Sequence, residues 1–290
     1  MPVLRQARNV SGNFRTTMQI LPAKELSDII KHYLFLDSKG IDAKNLRLFS
    51  DGNTGIVFNT NNNLFLDFNN KLPNSFLYGQ ITQFKDIYLS NDTSLIIVVF
   101  QPAGIKKKFG ISAFEVCDNI IDLEEISGKK SLEIEDKLAE AKTIQEKTNL
   151  LNAFFIALTL KNNIKNELLI SASINFILKN KGLISNSQLI KFTGYTERHI
   201  ERLFLESIGI SPKSFANIVK LHSFLQQIKT NTKKTNLTEI AYHAGYADQS
   251  HLIREFKKHT GMTPSLYTKK TYKLAINFVA FPIQETNLNL

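Results

Sequence analysis

The chain has only one cysteine, Cys117, among its 290 residues, and it has no tryptophan. A single thiol excludes an intrachain disulfide and a zinc site built from several cysteines, and it fits a reducing cytosol. No apolar run follows the basic amino-terminal residues, so no signal peptide is predicted. The most apolar run, Leu95 to Phe100, is too short to cross a bilayer. We therefore expect a cytoplasmic protein with no membrane partner.

Histidine is also scarce in the first part of the chain, where residues 1–125 contain only His32. A metal site on β-strands usually takes two or three histidines or comparable ligands. Cys117 lies in no recognisable nucleophile setting. We therefore expect no metal, no cofactor and no catalytic residues.

Positive charge is abundant, but it is concentrated in one part of the chain. The net charge is +10. Residues 1–125 hold 13 Lys and Arg against 13 Asp and Glu, whereas residues 164–270 hold 16 against 7. A basic segment concentrates near phosphate backbones through counterion release. On charge alone, nucleic-acid binding and a solvated lysine-rich surface are equally favoured.

Residues 1–125 predict a β-rich domain. Short apolar runs alternate with clusters of Asn, Asp, Gly and Pro, a pattern typical of a sandwich or barrel. The expected strands are Tyr33–Leu36, Gly55–Phe58, Leu64–Phe68, Asp86–Leu89 and Leu95–Phe100. We also expect a helix over Ala23–Lys31, a solvated loop at Lys106–Lys108 and a short helix near Ser112–Cys117.

Residues 126–163 predict a helical linker that precedes a helical domain over residues 164–270. Apolar residues at helical spacing indicate one helix around Ile134 and Leu138 and a second over Leu150–Leu158. Their apolar faces suit either dimerisation or docking of the two domains. A third helix is expected over Leu168–Leu178, with Gly182 as its C-cap and a break at Asn162-Asn163 before it.

A repeated unit organises the carboxyl-terminal half. The stretches Ser187–Phe215 and Asn236–Tyr267 each predict a helix, a glycine turn, a second helix and a helix that begins at proline. Glycine tolerates the left-handed backbone that the turn needs. Thr196 and Asp248 are placed to cap the second helices, and Ser211–Ile228 is long enough to bridge the units. The turn and packing positions are Gly194, Gly245, Ala241, Pro212 and Pro264.

These residues resemble the double helix-turn-helix domain of AraC-type (AraC/XylS) transcription regulators. The second unit carries the stronger match, through Glu239-Ile240-Ala241, Gly245-Tyr246, Asp248 to Leu252, Thr263-Pro264 and Tyr267. In the first unit, Ile190 stands where the pattern prefers a small residue such as Ala241. The resemblance implies two recognition helices in adjacent major-groove segments, about 10 bp apart.

By matching position, the resemblance also implies which side chains meet DNA. Those expected to contact bases are Arg198, Glu201, Arg202, Gln249, Ser250, His251 and Arg254. Those expected to contact phosphates are Thr196, His199 and Lys257. Arginine pairs with guanine, glutamine pairs with adenine, and glutamate accepts from cytosine. The alternative for each is an exposed helix side chain that contacts nothing.

The first 125 residues resemble, more weakly, a cupin-like sensor domain of such regulators, through Asp51-Gly52 and Phe100–Gly104. The expected class is thus α+β with two domains: residues 1–125, a linker over 126–163, the tandem domain over 164–270 and a tail over 271–290. The tail predicts either a strand or a docking segment. Aromatic residues of the first domain suit either a ligand site or the core.

The expected function is a sequence-specific transcription regulator whose partner is double-stranded DNA. A small-molecule effector, RNA polymerase and a second copy of the chain are the further expected partners. Two other classes are considered. The first is an enzyme with a DNA-binding appendage, but the residues around Cys117 do not resemble an active site. The second is a partner-binding adaptor with a degenerate helix-turn-helix, which only Ile190 indicates.

Overall fold

A computed structural model describes residues 16–37, 45–60, 64–66, 70–89, 94–158, 166–230, 237–269, 272–275 and 277–280. These residues form a β-rich amino-terminal domain and a helical carboxyl-terminal domain, so the expected α+β two-domain class is confirmed. The expected break at Asn162-Asn163 lies outside the described residues.

The strands lie almost wholly in the first half of the chain. They are β1 Thr16–Ile20, β2 Ile30–Asp37, β3 Asn45–Leu48, β4 Gly55–Asn59, β5 Leu64–Leu66, β6 Asn70–Lys71, β7 Ser75–Tyr78, β8 Lys85–Leu89, β9 Ser94–Phe100, β10 Ile120–Asp122, β11 Tyr272–Ala275 and β12 Phe278–Ala280. They form two six-stranded sheets in the orders β1-β2-β9-β4-β7-β10 and β11-β12-β3-β8-β5-β6. All described pairings are antiparallel.

Two apolar layers explain why the central strands are continuously hydrophobic. In β9, Ile96, Val98 and Phe100 pack in a core that also contains Phe155 of the linker. Leu95 and the partly buried Ile97, on the opposite face of β9, pack in a separate core shared by the two sheets. Successive side chains of a strand point to opposite faces, so a sheet covered on both faces needs apolar residues at every position.

Helices form the linker and the carboxyl-terminal domain. They are α1 Gly104–Phe109, α2 Leu123–Ser127, α3 Lys129–Glu140, α4 Ile144–Ala157, α5 Glu167–Lys179, α6 Asn186–Thr193, α7 Glu197–Ile208, α8 Pro212–Thr230, α9 Leu237–His243, α10 Gln249–Thr260 and α11 Pro264–Lys269. The expected helices around Ile134, over Leu150–Leu158 and over Leu168–Leu178 are confirmed as α3, α4 and α5. The C-cap of α5 is Asn180, while the Gly182 N–H donates to the Ile177 carbonyl at 2.9 Å.

Two helices expected in the amino-terminal domain are absent from the described residues. Over Ala23–Lys31 the chain makes only a short 3-10 helix, Lys24–Leu26, and β2 begins at Ile30 because it pairs with β9. Near Ser112–Cys117 the chain forms turns. There the Ala113 N–H donates to the Glu206 carbonyl of α7 at 2.9 Å, a contact with the other domain.

The run Lys106–Lys108 is not a solvated loop, as was expected, but part of α1. Lys106 and Lys107 form ion pairs with Glu206 and Glu167 of the helical domain, at 2.9 and 2.7 Å. Lys108 is buried, and its ammonium group donates to the Phe155 carbonyl. Burial lowers the pKa of Lys108. Three consecutive lysines thus lie in three different environments.

The tail contributes two strands to the amino-terminal domain, which confirms the strand alternative. β12 pairs antiparallel with β3, and β11 pairs with β12. Phe278 is buried in the core between the sheets. Residues 272–280 therefore return from the helical domain to the sheet that contains β3.

Candidate nucleic-acid interface

The first helix-turn-helix unit consists of α6 and α7. Gly194 ends α6 with φ at 74°, the left-handed turn that was expected of it. The Thr196 hydroxyl caps α7 by accepting the His199 N–H at 3.4 Å. The Asn186 amide at the start of α6 donates to the Glu197 carboxylate at 2.8 Å. A side-chain hydrogen bond therefore connects the start of α6 to the start of α7.

The second unit, α9 and α10, has a turn that is one residue longer. Gly245 has φ at 80°, and the Tyr246 N–H donates to the Ala241 carbonyl at 3.0 Å. Asp248 caps α10 by accepting the His251 N–H at 2.7 Å. The extra residue is Ala247, so N-cap Asp248 follows the turn glycine by three positions, whereas Thr196 follows Gly194 by two.

Aligning the two N-caps gives the equivalent positions of the recognition helices. Arg202 and Arg254 each lie six residues after their N-cap. Arg198 is equivalent to Ser250, and Glu201 is equivalent to Ile253. Both helices begin with a polar residue, Glu197 in α7 and Gln249 in α10. Glu197, the equivalent of Gln249, was not among the expected base contacts, and its carboxylate accepts a hydrogen bond from Asn186.

The structure leaves most of the expected DNA-contacting side chains open to solvent. Those that are exposed are Arg198, Glu201, Arg202, Gln249, Ser250, Arg254, Thr196 and Lys257. In α7 and α10 the residues between them are buried, among them Ile200, Phe204, Leu252 and Phe256. Each recognition helix therefore has one polar, exposed side and one side that packs in a core.

The two histidines of these helices differ from the other candidates because they are half-buried. His199 stacks on Tyr195 with ring centroids 4.8 Å apart. His251 accepts the Ala247 N–H at Nδ1, at 3.4 Å, and lies against the Tyr246 ring. Both follow their N-cap by three residues. Their surroundings differ, because Tyr195 is 45% exposed and stacks on His199, whereas Tyr246 is buried and meets His251 at a steep angle. One histidine was expected at a phosphate and the other at a base.

The helix α8 joins the units, as the sequence predicted. Ser211 and Thr263 cap the helices that begin at Pro212 and Pro264. The first half of α8, with Phe215 and Ile218, packs in the core of the first unit. Its second half, with Leu221, Phe224 and Leu225, packs in the core of the second unit.

One further contact holds α8 to the second unit, and another connects the two units directly. The Lys220 ammonium lies 4.4 Å from the centre of the Tyr246 ring. Burial lowers the pKa of Lys220, although Glu255 opposes this. A Cβ atom at Gly245 would lie 2.2 Å from a methyl carbon of Leu183, which precedes α6. Gly245 is thus favoured by its left-handed backbone angle, and a larger residue there would also displace the Leu183 side chain.

Among the residues that the structure describes, no helix is both long enough and apolar enough to span a membrane. No three or more His, Cys, Asp or Glu side chains in these segments are grouped so that they could hold a metal ion.

Comparisons with known proteins separate the chain into the same two parts. Residues 189–270 match a family described as a helix-turn-helix domain, and residues 18–122 match a domain of unknown function, DUF6597. Uncharacterized HTH-type transcriptional regulators of Staphylococcus aureus strains MSSA476 and MRSA252 are 31% identical over 84 residues. That alignment covers 29% of this chain but only 11% of each relative.

Among solved structures, the chain is similar to ToxT of Vibrio cholerae. A crystal structure of ToxT from strain O395 is 16% identical, covers 77% of this chain and 94% of its own, and has a TM-score of 0.42. A second ToxT structure, at 1.65 Å resolution, is 12% identical, covers 81% and 96%, and has a TM-score of 0.45.

The matched helix-turn-helix residues coincide with the two capped units and the helix between them. Residues 189–270 therefore form a tandem helix-turn-helix domain, in which two units are joined by α8.

Proposed function

We propose that this protein is a sequence-specific DNA-binding transcription regulator that reads two adjacent major-groove segments with α7 and α10. The observation that carries this proposal is the equivalence of Arg202 and Arg254, which are exposed at the same position of two capped helices. Arginine at such a position can bind guanine through two hydrogen bonds. The excess of positive charge in residues 164–270 supports binding to the phosphate backbone.

The two helices differ in what they offer to DNA, so we propose that the two segments differ in sequence. In α7, Arg198, Glu201 and Arg202 would contact bases, and Thr196 and His199 would lie near phosphates. In α10, Gln249, Ser250, His251 and Arg254 would contact bases, and Lys257 would lie near a phosphate. Such a site is a tandem of unlike segments.

We further propose that a small-molecule effector or a partner acts on the amino-terminal domain in the cytoplasm. The contacts of that domain with α7, α8 and α10 support this proposal, because a change in it would reach the DNA-binding helices. A thermal-shift screen of small molecules tests it. We expect to find a ligand that raises the unfolding temperature and also changes the affinity for DNA. Ligands that raise the unfolding temperature but never change DNA affinity would contradict the proposal.

A selection on random DNA duplexes, followed by sequencing, tests the DNA-binding proposal. We expect two unlike conserved segments about one helical turn, about 10 bp, apart. Binding to the selected site should weaken as salt rises, with a slope set by the number of phosphates neutralised. Unselective, salt-insensitive binding would instead favour a partner-binding adaptor. Two-fold repetition of the whole site would indicate a homodimer.

A further inference from the structure

The two recognition helices end at equivalent glycines, and both glycines lie against the amino-terminal domain. Gly209 ends α7 with φ at 94°, and Gly261 ends α10 with φ at 68°. A Cβ atom at Gly209 would lie 2.6 Å from the Ala113 carbonyl oxygen. A Cβ atom at Gly261 would lie 2.5 Å from the Phe84 ring. At Gly209 the close atom belongs to the backbone, whereas at Gly261 the close atoms are the ends of the Phe84 and Arg47 side chains, which a larger residue would displace.

At the end of α10, Arg47 of β3 makes the contact. Its guanidinium donates to the Gly261 carbonyl at 3.1 Å. It also forms two hydrogen bonds with the Asp86 carboxylate of β8, at 2.7 and 2.6 Å, and lies 4.2 Å from the centre of the Phe84 ring. The side chains of Arg47 and Asp86 are only 16% and 22% exposed. The partial negative charge at the C-terminus of α10 also stabilises the Arg47 cation at this position.

At the end of α7, the contacts come from α1 and the turn that follows it. The Ala113 N–H donates to the Glu206 carbonyl at 2.9 Å. The Lys106 ammonium lies 2.9 Å from the Glu206 carboxylate. The amino-terminal domain therefore binds the last turn of α7 through the Glu206 backbone and side chain. Arg47 likewise binds the end of α10.

Between these two points, the loop from Phe49 to Thr54 lies against α8. Phe49 packs in the core of the second unit. The Ser50 carbonyl oxygen is 2.8 Å from His222 Nε2. A Cβ atom at Gly52 would lie 3.0 Å from the Phe215 ring. The amino-terminal domain thus contacts both recognition helices and the helix that joins them.

The DNA-contacting candidates lie toward the other ends of the same helices. Arg198, Arg202, Gln249 and Arg254 occupy the first two turns and are exposed. The contacts with the amino-terminal domain therefore leave these side chains uncovered. Docking in this form restrains the helices without blocking their polar faces.

We propose that the amino-terminal domain is a clamp that fixes the separation and angle of α7 and α10. It thereby sets the spacing between the two DNA segments that the protein accepts. This inference rests on the proposed function, because it assumes that both helices bind DNA. The competing arrangement is one in which α8 alone sets the spacing.

Full-length variants of the clamp contacts provide the test. The double change Arg47→Met with Asp86→Leu removes the ion pair and the Gly261 contact without leaving one buried charge unpaired. Lys106→Met with Glu206→Gln removes the matching pair at α7. Lys130→Met, an exposed change in α3, is the control. Affinity is measured for the selected site and for duplexes with one or two base pairs inserted or removed between its segments.

We expect the parent and the control to prefer the native spacing, and each clamp variant to lose on the order of fivefold or more of that preference. The base preference within each segment should not change. Unchanged spacing profiles in both folded clamp variants would overturn the clamp and leave α8 as the determinant. If one variant loses cooperative unfolding, the other decides the outcome. Absence of selective binding by the parent would instead contradict the proposed function.

Discussion

Phe278 and Val279 are neighbours in one strand, yet they belong to different cores. Phe278 is buried between the two sheets of the amino-terminal domain. Val279 is fully buried in the core of the second helix-turn-helix unit, together with Leu252 and Phe256 of α10. Because side chains alternate along a strand, β12 joins two hydrophobic cores that come from different parts of the chain.

The first prediction concerns these two residues. Val279→Ala should lower the free energy of unfolding by roughly 2 kcal/mol, and Phe278→Ala by about 3–5 kcal/mol, because each leaves a cavity. Denaturant unfolding measures both values, with the exposed change Ser265→Ala as the control. Amide hydrogen exchange should rise in α10 for Val279→Ala and in β3 for Phe278→Ala. The same exchange pattern in both variants would contradict the assignment to two cores.

The second prediction concerns the equivalent arginines. Arg202→Ala and Arg254→Ala should each weaken binding to the selected site by about 1–3 kcal/mol and relax base preference in one segment only. The physical reason is the loss of hydrogen bonds to a base edge. Sequencing after selection identifies the segment, with Lys130→Ala as the control. If both variants gave the same DNA footprint as the parent, α7 and α10 would not be the helices that recognise the DNA sequence.

The third prediction compares the two turn glycines. Gly194→Ala meets no atom within 4 Å and carries only the cost of a left-handed backbone, roughly 1–2 kcal/mol. Gly245→Ala carries the same cost and also displaces Leu183, so it should be more destabilising. Adding Leu183→Ala should reduce that excess. Thermal unfolding measures the three variants, and equal losses at the two glycines would contradict the contact between the units.

The fourth prediction concerns pH. His222 of α8 faces the Ser50 carbonyl, and burial lowers its pKa below the ordinary value of 6.5, although Asp51 and that hydrogen bond oppose the shift. Lys31 also lowers the pKa of His222, and His259 lies near enough to interact with it. A group with a lowered folded pKa binds protons more readily when unfolded. Its destabilising effect is therefore absent above pH 6.5 and grows as pH falls below it.

His222→Gln should consequently make the unfolding temperature less dependent on pH below 6.5. His243→Gln, at an exposed histidine of α9, is the matched control. His32 will keep part of the dependence in both variants, because burial and Lys31 lower its pKa to about 4. A slope identical to that of the parent in His222→Gln would show that His222 does not contribute.

Local patterns were sufficient for much of the carboxyl-terminal domain. The turn glycines, the caps Thr196 and Asp248, and the bridging helix all follow from residue types at short spacing. Such features depend on hydrogen bonds within one or two turns, so the sequence displays them directly. The roles assigned to the DNA-contacting side chains stay predictions.

The histidines show where local pattern was insufficient. His199 and His251 are polar residues near the start of a helix, and nothing in their spacing distinguishes them from exposed neighbours. Their burial depends on Tyr195 and Tyr246, whose ring positions are set by the packing of each turn. Aligning the N-caps makes the two histidines equivalent, but Tyr195 and Tyr246 then lie one and two residues before their caps.

By itself, the sequence determined that this chain has a β-rich half, a basic tandem helix-turn-helix domain and the residues that cap its helices. Only the tertiary structure decided how the halves are joined. The Arg47 contact with Gly261, the three environments of Lys106–Lys108 and the place of β12 each connect residues far apart in the chain. Long-range contacts depend on which surfaces meet after folding, and no periodicity in a single sequence encodes that meeting.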